Sequence, residues 1–159
     1  MPDFRLDRTD RKILEILQKE GRLSNLELAE RVALSPSPCL RRLKRLEESG
    51  VIRQYVALID SLKVGLGLLA YVSVKLEKRG EGAVKAFARA VQNWQEVVAC
   101  YSMTGDLDYL LRVHVEDLEH YSRFVMNSLL KHPGITEVKS SFALERVKDT
   151  TALPLSHLA

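Results

Sequence analysis

The chain has 159 residues, 46% hydrophobic and 28% charged, an ordinary globular composition whose length allows one average domain or two small ones. A net charge of +3 excludes a bulk polycation, and no segment approaches the ~20 apolar residues of a membrane helix. Cys39 and Cys100 lie far apart without Cys-x-x-Cys spacing, which points away from a disulfide framework or a zinc site. The N-terminal MPDFRLDRTD lacks the apolar core of a signal peptide, so a cytoplasmic protein is expected.

The first helix is predicted from about Thr9 to Glu20, with Asp7 as its cap, Ile13, Leu14, Ile16 and Leu17 on its apolar face, and Gly21 as its stop. Two further helix starts follow closely in SNLELAERVALSPSPCLRRLKRLEESG (24–50). Ser24 and Glu27 fit a capping box, and Leu26, Ala29 and Val32 supply one apolar stripe. Ser35 stands as the N-cap of the next helix, with Pro36 at the first helical position, where a missing N–H costs nothing. Gly50 ends that helix, with Val51 expected to fold back onto Leu46 in Schellman geometry.

At ~3.6 residues per turn, Cys39, Leu40, Leu43 and Leu46 share one side of this helix. Ser37, Arg41 and Arg45 point away from them, flanked by Arg42 and Lys44. Arg31 through Leu46 holds five cations (Arg31, Arg41, Arg42, Lys44, Arg45) and no carboxylate. A single-signed face on the second helix of a tight helix pair is the pattern of a helix-turn-helix DNA reader; on an arbitrary helix it would be only a solvated face. Clustering matters more than total charge, because phosphate attraction is screened within ~8–10 Å. The β-prone run VIRQYVALI (51–59) after three short helices predicts a winged variant. Residues 1–60 form this domain, and 61–67, with Ser61, Gly65 and Gly67, read as a linker.

Beyond the linker the periodicity changes. LLAYVSVKL (68–76) alternates as a strand with Ala70, Val72, Val74 and Leu76 on one side. Residues 82–92 are helical, 97–103 and 109–115 are strands joined by Thr104-Gly105-Asp106, and Asp117 caps a helix carrying Leu118, Tyr121, Val125 and Leu129. A last strand spans 135–147 after Pro133-Gly134. The order βαββαβ over 68–159 predicts a ferredoxin-like domain with helices on one face of a four-stranded sheet. The fold class is therefore α+β. The other face remains apolar enough to need a partner, which predicts dimerisation through the sheets.

LDRTDRKILEILQKEGR, LSPSPCLRRLKRLEESGVI, CYSMTGDLDYLLRV, KHPGI and VKDTTALPL together resemble the leucine-responsive regulatory protein family (Lrp/AsnC, the feast/famine regulators) over nearly the whole chain. The resemblance implies a bacterial or archaeal, nucleoid-associated transcription regulator that binds double-stranded DNA. It also implies a homodimer that assembles into tetramers or octamers and binds a free amino acid between dimers. Ala33 departs from the pattern, since helix-turn-helix turns often place Gly there. A left-handed Ala at that turn would cost on the order of 1 kcal/mol.

The residues expected on DNA are Ser35, Ser37, Arg41, Arg42, Lys44 and Arg45. The resemblance places the effector at the TGxxD loop, with Ser102, Met103, Thr104, Gly105, Asp106 and Asp108. Turn N–H groups would meet the ligand carboxylate, Gly105 would permit close approach, and Asp106 or Asp108 would pair with the ammonium. Leu118 and Phe142 would wall the side chain and Ser140 would add a hydrogen bond; leucine or methionine is the expected ligand. Ordinary hairpin-turn chemistry is the competing account of Gly-Asp here.

Other function classes lack parts. His114, His120, His132 and His157 form no catalytic motif and none stands at ligand spacing from a cysteine, so a small ferredoxin-like enzyme is disfavoured, and no metal or cofactor is expected. The exposed-aromatic signature of an RNA-binding sheet is missing. Cys39 and Cys100 fall at apolar positions, where inert thiols are commoner than redox sensors. The remaining rival is an architectural DNA binder without an effector.

Overall fold

The computed structural model describes residues 5–77 and 81–158. It divides the chain into two compact units, Met1–Leu58 with Lys148–Ala159, and Ile59–Val147.

The first unit holds three helices, α1 (Arg8–Leu17), α2 (Asn25–Arg31) and α3 (Pro36–Glu48). Asp7 caps α1 in a reciprocal box with Asp10, and Ser24 caps α2 in another with Glu27. Their apolar stripes close over Ile13, Leu14, Leu28, Ala29, Val32, Cys39 and Leu46, with Leu34, Leu43 and Ile52 at the margin. Leu26 and Leu40, expected inside, are exposed at 58% and 40%; Leu28 takes the interior position on α2. α1 also ends a turn before the expected Glu20, at its C-cap Gln18.

α2 ends in a full Schellman turn. Ala33 N donates to Glu30 O (3.2 Å), Leu34 N donates to Ala29 O (2.9 Å), and Ala33 has φ +57°. At the end of α3, Gly50 (φ +75°) makes the corresponding bond to Glu47 O, and it is Ile52, not Val51, that donates to Leu46 O (3.0 Å). Residues 53–60 adopt no regular secondary structure and pair with no strand, although the run is β-prone. A strand is stable only against a partner, and this unit has no strand among its described residues to pair with it.

The C-terminal tail belongs to this unit rather than to a domain spanning 68–159. Gln18 grips the backbone of Leu153 through both ends of its amide, donating to the carbonyl (3.2 Å) and accepting from the N–H (2.5 Å). Arg11 donates to Leu158 O, and Leu155 packs against the helical core.

The second unit is a four-stranded antiparallel sheet in the order β2-β3-β1-β4, from β1 (Leu68–Leu76), β2 (Val97–Ser102), β3 (Tyr109–Val115) and β4 (Ile135–Phe142). Helices α4 (Glu81–Asn93) and α5 (Leu118–Phe124) connect the strands, and α5 continues into a π-helical turn, Val125–Leu129. Alternation puts Ala70, Val72, Val74, Leu76, Tyr109, Leu111, Val113 and Val115 into one core with Phe87, Val91, Tyr121, Phe124 and Leu129. Phe87 is fully buried against the rings of Tyr109 (4.5 Å), His132 (5.7 Å) and Trp94 (5.9 Å). The opposite alternation sends Tyr71, Ser73, Leu110 and Arg112 away from this core, with Tyr71 opposite Arg112 and Ser73 opposite Leu110 in the register.

The expected linker is a folded turn of this unit. Asp60 accepts from Leu62 N (3.0 Å), Leu66 N donates to Ser61 O (2.8 Å), and buried Ser61 accepts from Arg146 (2.6 Å).

Candidate functional site

The tight turn at Ala33 brings α3 against α2, and Asn25 Nδ2 donates to Pro36 O (2.9 Å), tying the two helix starts together. Ser35 occupies the N-cap position of α3, yet its hydroxyl makes no capping bond. The third helical residue, where a capping hydroxyl finds its donor, is Pro38, which has no N–H. The exposed Ser35 and Ser37 hydroxyls therefore lie at the head of α3, available to an outside acceptor.

The outer face of α3 lines an open concavity of about 660 Å³ with Ser37, Leu40, Arg41, Arg42, Lys44, Arg45 and Glu48 on it. Arg41 and Lys44 are exposed and form no ion pair among the described residues. The other three cations of the run are engaged. Arg31 is held bidentately by Glu20 (2.6 and 2.9 Å), and this hydrogen bonding keeps the Glu20 carboxyl below its ordinary range. Arg42 reaches Asp7 (2.6 Å) and Asp10 (2.9 Å), and Arg45 reaches Asp10 at 2.5 Å. The carboxylates that answer a run without local acids come from α1 and its end, too distant in sequence for a charge count to reveal. Of the six residues expected on DNA, four stand outward (Ser35, Ser37, Arg41, Lys44), Arg45 is shared with Asp10, and Arg42 is drawn to α1.

In the second unit, residues 103–108 join β2 to β3. Gly105 has φ +105°, a conformation that excludes most side chains, and a Cβ there would meet nothing within 4 Å. Beside this turn lies a cleft of about 270 Å³ lined by Ser73, Met103, Thr104, Asp106, Leu107, Tyr109 and Leu110. Its size suits a free amino acid better than a drug-sized ligand. Sequence reading missed Ser73 and Leu110, which are brought side by side only by the β1–β3 register.

Asp108 has a structural duty: its carboxylate accepts from Leu76 N (2.8 Å), and its own N–H donates to Val74 O (3.0 Å). Three other expected effector residues lie elsewhere in the chain. Phe142 and Ser140 pair with Ala70 and Val72, towards the other end of β1, and both engage Tyr121, Ser140 through the hydroxyl and Phe142 ring to ring at 5.1 Å. Leu118 starts α5 beyond the far end of β3 and is 62% exposed. A single chain therefore does not gather Leu118, Ser140 and Phe142 around the Met103–Asp108 turn.

Both thiols are pushed above the ordinary cysteine value by burial, which disfavours the reactive thiolate. Among the described residues no group of three potential metal ligands occurs, and no helix is long and apolar enough to cross a membrane.

A three-helix head presenting a cationic helix, joined to a ferredoxin-like unit with a small cleft at a hairpin turn, defines a DNA-binding regulator with a ligand domain. Residues 6–53 match the winged helix-turn-helix DNA-binding family, and residues 69–153 match the Lrp/AsnC ligand binding domain. The leucine-responsive regulatory proteins of Salmonella typhimurium and Escherichia coli are each 40% identical over 96% of this chain and 93% of theirs. Among solved structures, a transcriptional regulator from Neisseria meningitidis in complex with L-Met is 51% identical, with a TM-score of 0.94 over 97% of this chain and 99% of that one. An AsnC family transcriptional regulator from Agrobacterium tumefaciens is 44% identical, with a TM-score of 0.92 over 97% of this chain and all of that one. The chain belongs to the Lrp/AsnC family of transcription regulators.

Proposed function

We propose that this regulator reads DNA as a cytoplasmic homo-oligomer through Ser35, Ser37, Arg41, Lys44 and Arg45, and that L-methionine, ahead of leucine, is its effector. It carries out no catalysis. The observation that carries the DNA assignment is the pair of exposed cations Arg41 and Lys44, unpaired among the described residues, on the stripe opposite the core of α3. Phosphate contacts give affinity without sequence information, while a bidentate arginine–guanine contact discriminates by ~1–3 kcal/mol. Two heads related by a two-fold axis read half-sites about 34 Å apart, or a multiple of that.

The methionine assignment is supported by the relative solved with L-Met and by the apolar lining from Met103, Leu107 and Leu110. Asp106 supplies the anion for the ligand ammonium, and the turn N–H groups around Gly105 meet its carboxylate. The sheet residues turned away from the core, Tyr71 and Leu110 among them, form the dimer face, and Leu118, Ser140 and Phe142 act at a ligand only from a second copy. An effector-blind architectural binder would share the head and differ in an empty cleft.

Two experiments test this function. A duplex selected by the protein from a random pool is titrated against salt: Arg41→Ala and Lys44→Ala should each weaken binding, and each lost phosphate contact should reduce the slope of log K against log salt by ~0.9. Unchanged binding in both variants refutes the groove assignment. Calorimetry with L-methionine and L-leucine should show binding that Gly105→Val and Asp106→Ala abolish or weaken. Binding as tight as wild type in both variants places the effector elsewhere, and no binding of either amino acid favours the architectural binder.

A further inference from the structure

Cys39 and Leu46 on α3 are fully buried and set the line along which this helix meets its core. Leu40 stands ~100° round the helix from Cys39, off that line, and is 40% exposed. Ser37 before it and Lys44 after it are exposed as well, and their spacing of three and four residues puts the three side chains on one stripe. All three line the concavity in front of α3, together with Arg41. Leu40 also falls in the N-terminal half of Pro36–Glu48, the part that a recognition helix turns to the base edges. A lone exposed leucine is ordinary on a protein surface. This one is set among a hydroxyl and two cations on the face that would enter the groove.

We infer that Leu40 is a specificity-determining residue: it reads a thymine by packing against the C5-methyl group in the major groove. The inference rests on the assignment of α3 to the groove proposed above. A leucine neither attracts a phosphate nor hydrogen-bonds a base edge, so it contributes to binding only where apolar surface covers it. Among the groups that base pairs present in the major groove, the thymine methyl is the apolar one; the others are hydrogen-bond donors and acceptors. A polar base edge pressed against Leu40 would lose its water without gaining a partner, which penalises the other bases at that position. Arg41 and Lys44 serve phosphates or a guanine, so Leu40 supplies a kind of discrimination that they cannot.

The full-length chain is titrated with the duplex that it selects from a random pool, and with copies in which each thymine in turn is replaced by uracil. That replacement removes the methyl and keeps the base pairing. Wild type should lose affinity about fourfold at one thymine in each half-site, the worth of one buried methyl. Leu40→Ala should bind the parent duplex more weakly with an unchanged salt slope, and should no longer respond to uracil at that position. No uracil effect in wild type at any position, or a selected half-site without an A·T pair, overturns the inference. So does a uracil effect that persists in Leu40→Ala, because the position is then read through DNA shape and Leu40 acts only within the head. Far-UV melting reports whether the variant is folded. If Leu40→Ala does not fold, Leu40→Gln, which keeps the length and removes the apolar branch, decides by the same comparison. Failure of the groove assignment has a separate signature: Arg41→Ala and Lys44→Ala then leave binding intact. Failure of the inference alone leaves those losses in place, with no coupling between Leu40 and any methyl.

Discussion

Two helices of the head end on a left-handed residue, Gly50 after one and Ala33 after the other, so Ala33→Gly is a clean perturbation. Ala33 sits at φ +57° as the residue after the C-cap of α2, where its Cβ approaches the following carbonyl. Left-handed backbone costs an L-residue about 1–2 kcal/mol, and glycine gives back about 0.5–1 kcal/mol through its freer unfolded chain. The net expectation is stabilisation by about 0.5–1 kcal/mol, or roughly 2–8 °C in the melting transition of a unit this size. The opposite substitution is available at the opposite site: Gly50 has φ +75° and its added Cβ would touch nothing within 4 Å, so Gly50→Ala should lose about 1 kcal/mol through backbone strain alone. Urea unfolding of the full chain, followed by far-UV dichroism, should show the midpoint rising for Ala33→Gly and falling for Gly50→Ala at constant m-value. A midpoint that falls for Ala33→Gly refutes the account, because the helix-turn-helix turn would then depend on the alanine methyl rather than tolerate it.

Other consequences follow from single groups. In Asp7, hydrogen bonds from Asp10 N and Arg42 outweigh burial and hold the carboxyl below its ordinary 3.8; Arg31 and Ser24 hold Glu20 and Glu27 below 4.5. Because these folded values are depressed, their stabilisation is complete above the ordinary values and is lost as pH falls through and below them; the urea midpoint of the head should drop between pH 5 and pH 3, and a flat midpoint there contradicts the ion pairs. Asp108→Ala leaves Leu76 N, in a buried residue, without its acceptor, so the sheet unit should lose about 1–3 kcal/mol in chemical denaturation. Phe87→Ala removes the ring that Tyr109, Trp94 and His132 pack around and should cost about 3–5 kcal/mol by the same measurement, while a loss below 1 kcal/mol would show that the site collapses around the gap.

Local signals were the legible ones. Capping residues Asp7, Ser24 and Asp117, the alternation of 68–76 and 109–115, and the left-handed demand on Ala33 each act within a few residues, and each is found in the structure. Errors arose where distant chain decides. Leu26 is apolar and in phase but faces outward because α2 packs through Leu28 and Ala29 instead. The tail VKDTTALPL follows the last strand, yet Gln18 and Arg11 on α1 hold Leu153 and Leu158, a pairing that neither periodicity nor composition encodes. The cleft beside the hairpin turn was half legible: the Thr104-Gly105-Asp106 turn announces itself, but Ser73 and Leu110 join it only through strand register.

The recognition helix shows how far the same limit reaches into function. Counted along the chain, Arg31 to Leu46 offers five positive charges to a phosphate backbone. At ~0.9 of salt slope per contact, five contacts per head would lose about 500-fold in affinity between 50 and 200 mM salt. The fold answers three of those charges with Glu20, Asp7 and Asp10 and leaves Arg41 and Lys44 outward. Two contacts per head lose only about 12-fold over the same range. A head with two phosphate contacts has little hold on random DNA, so base contacts and, under the oligomerisation proposed above, a second head carry its occupancy. A slope above about 4 per head would mean that the ion pairs to α1 and to Glu20 open on the duplex, and the head would then bind without need of its twin.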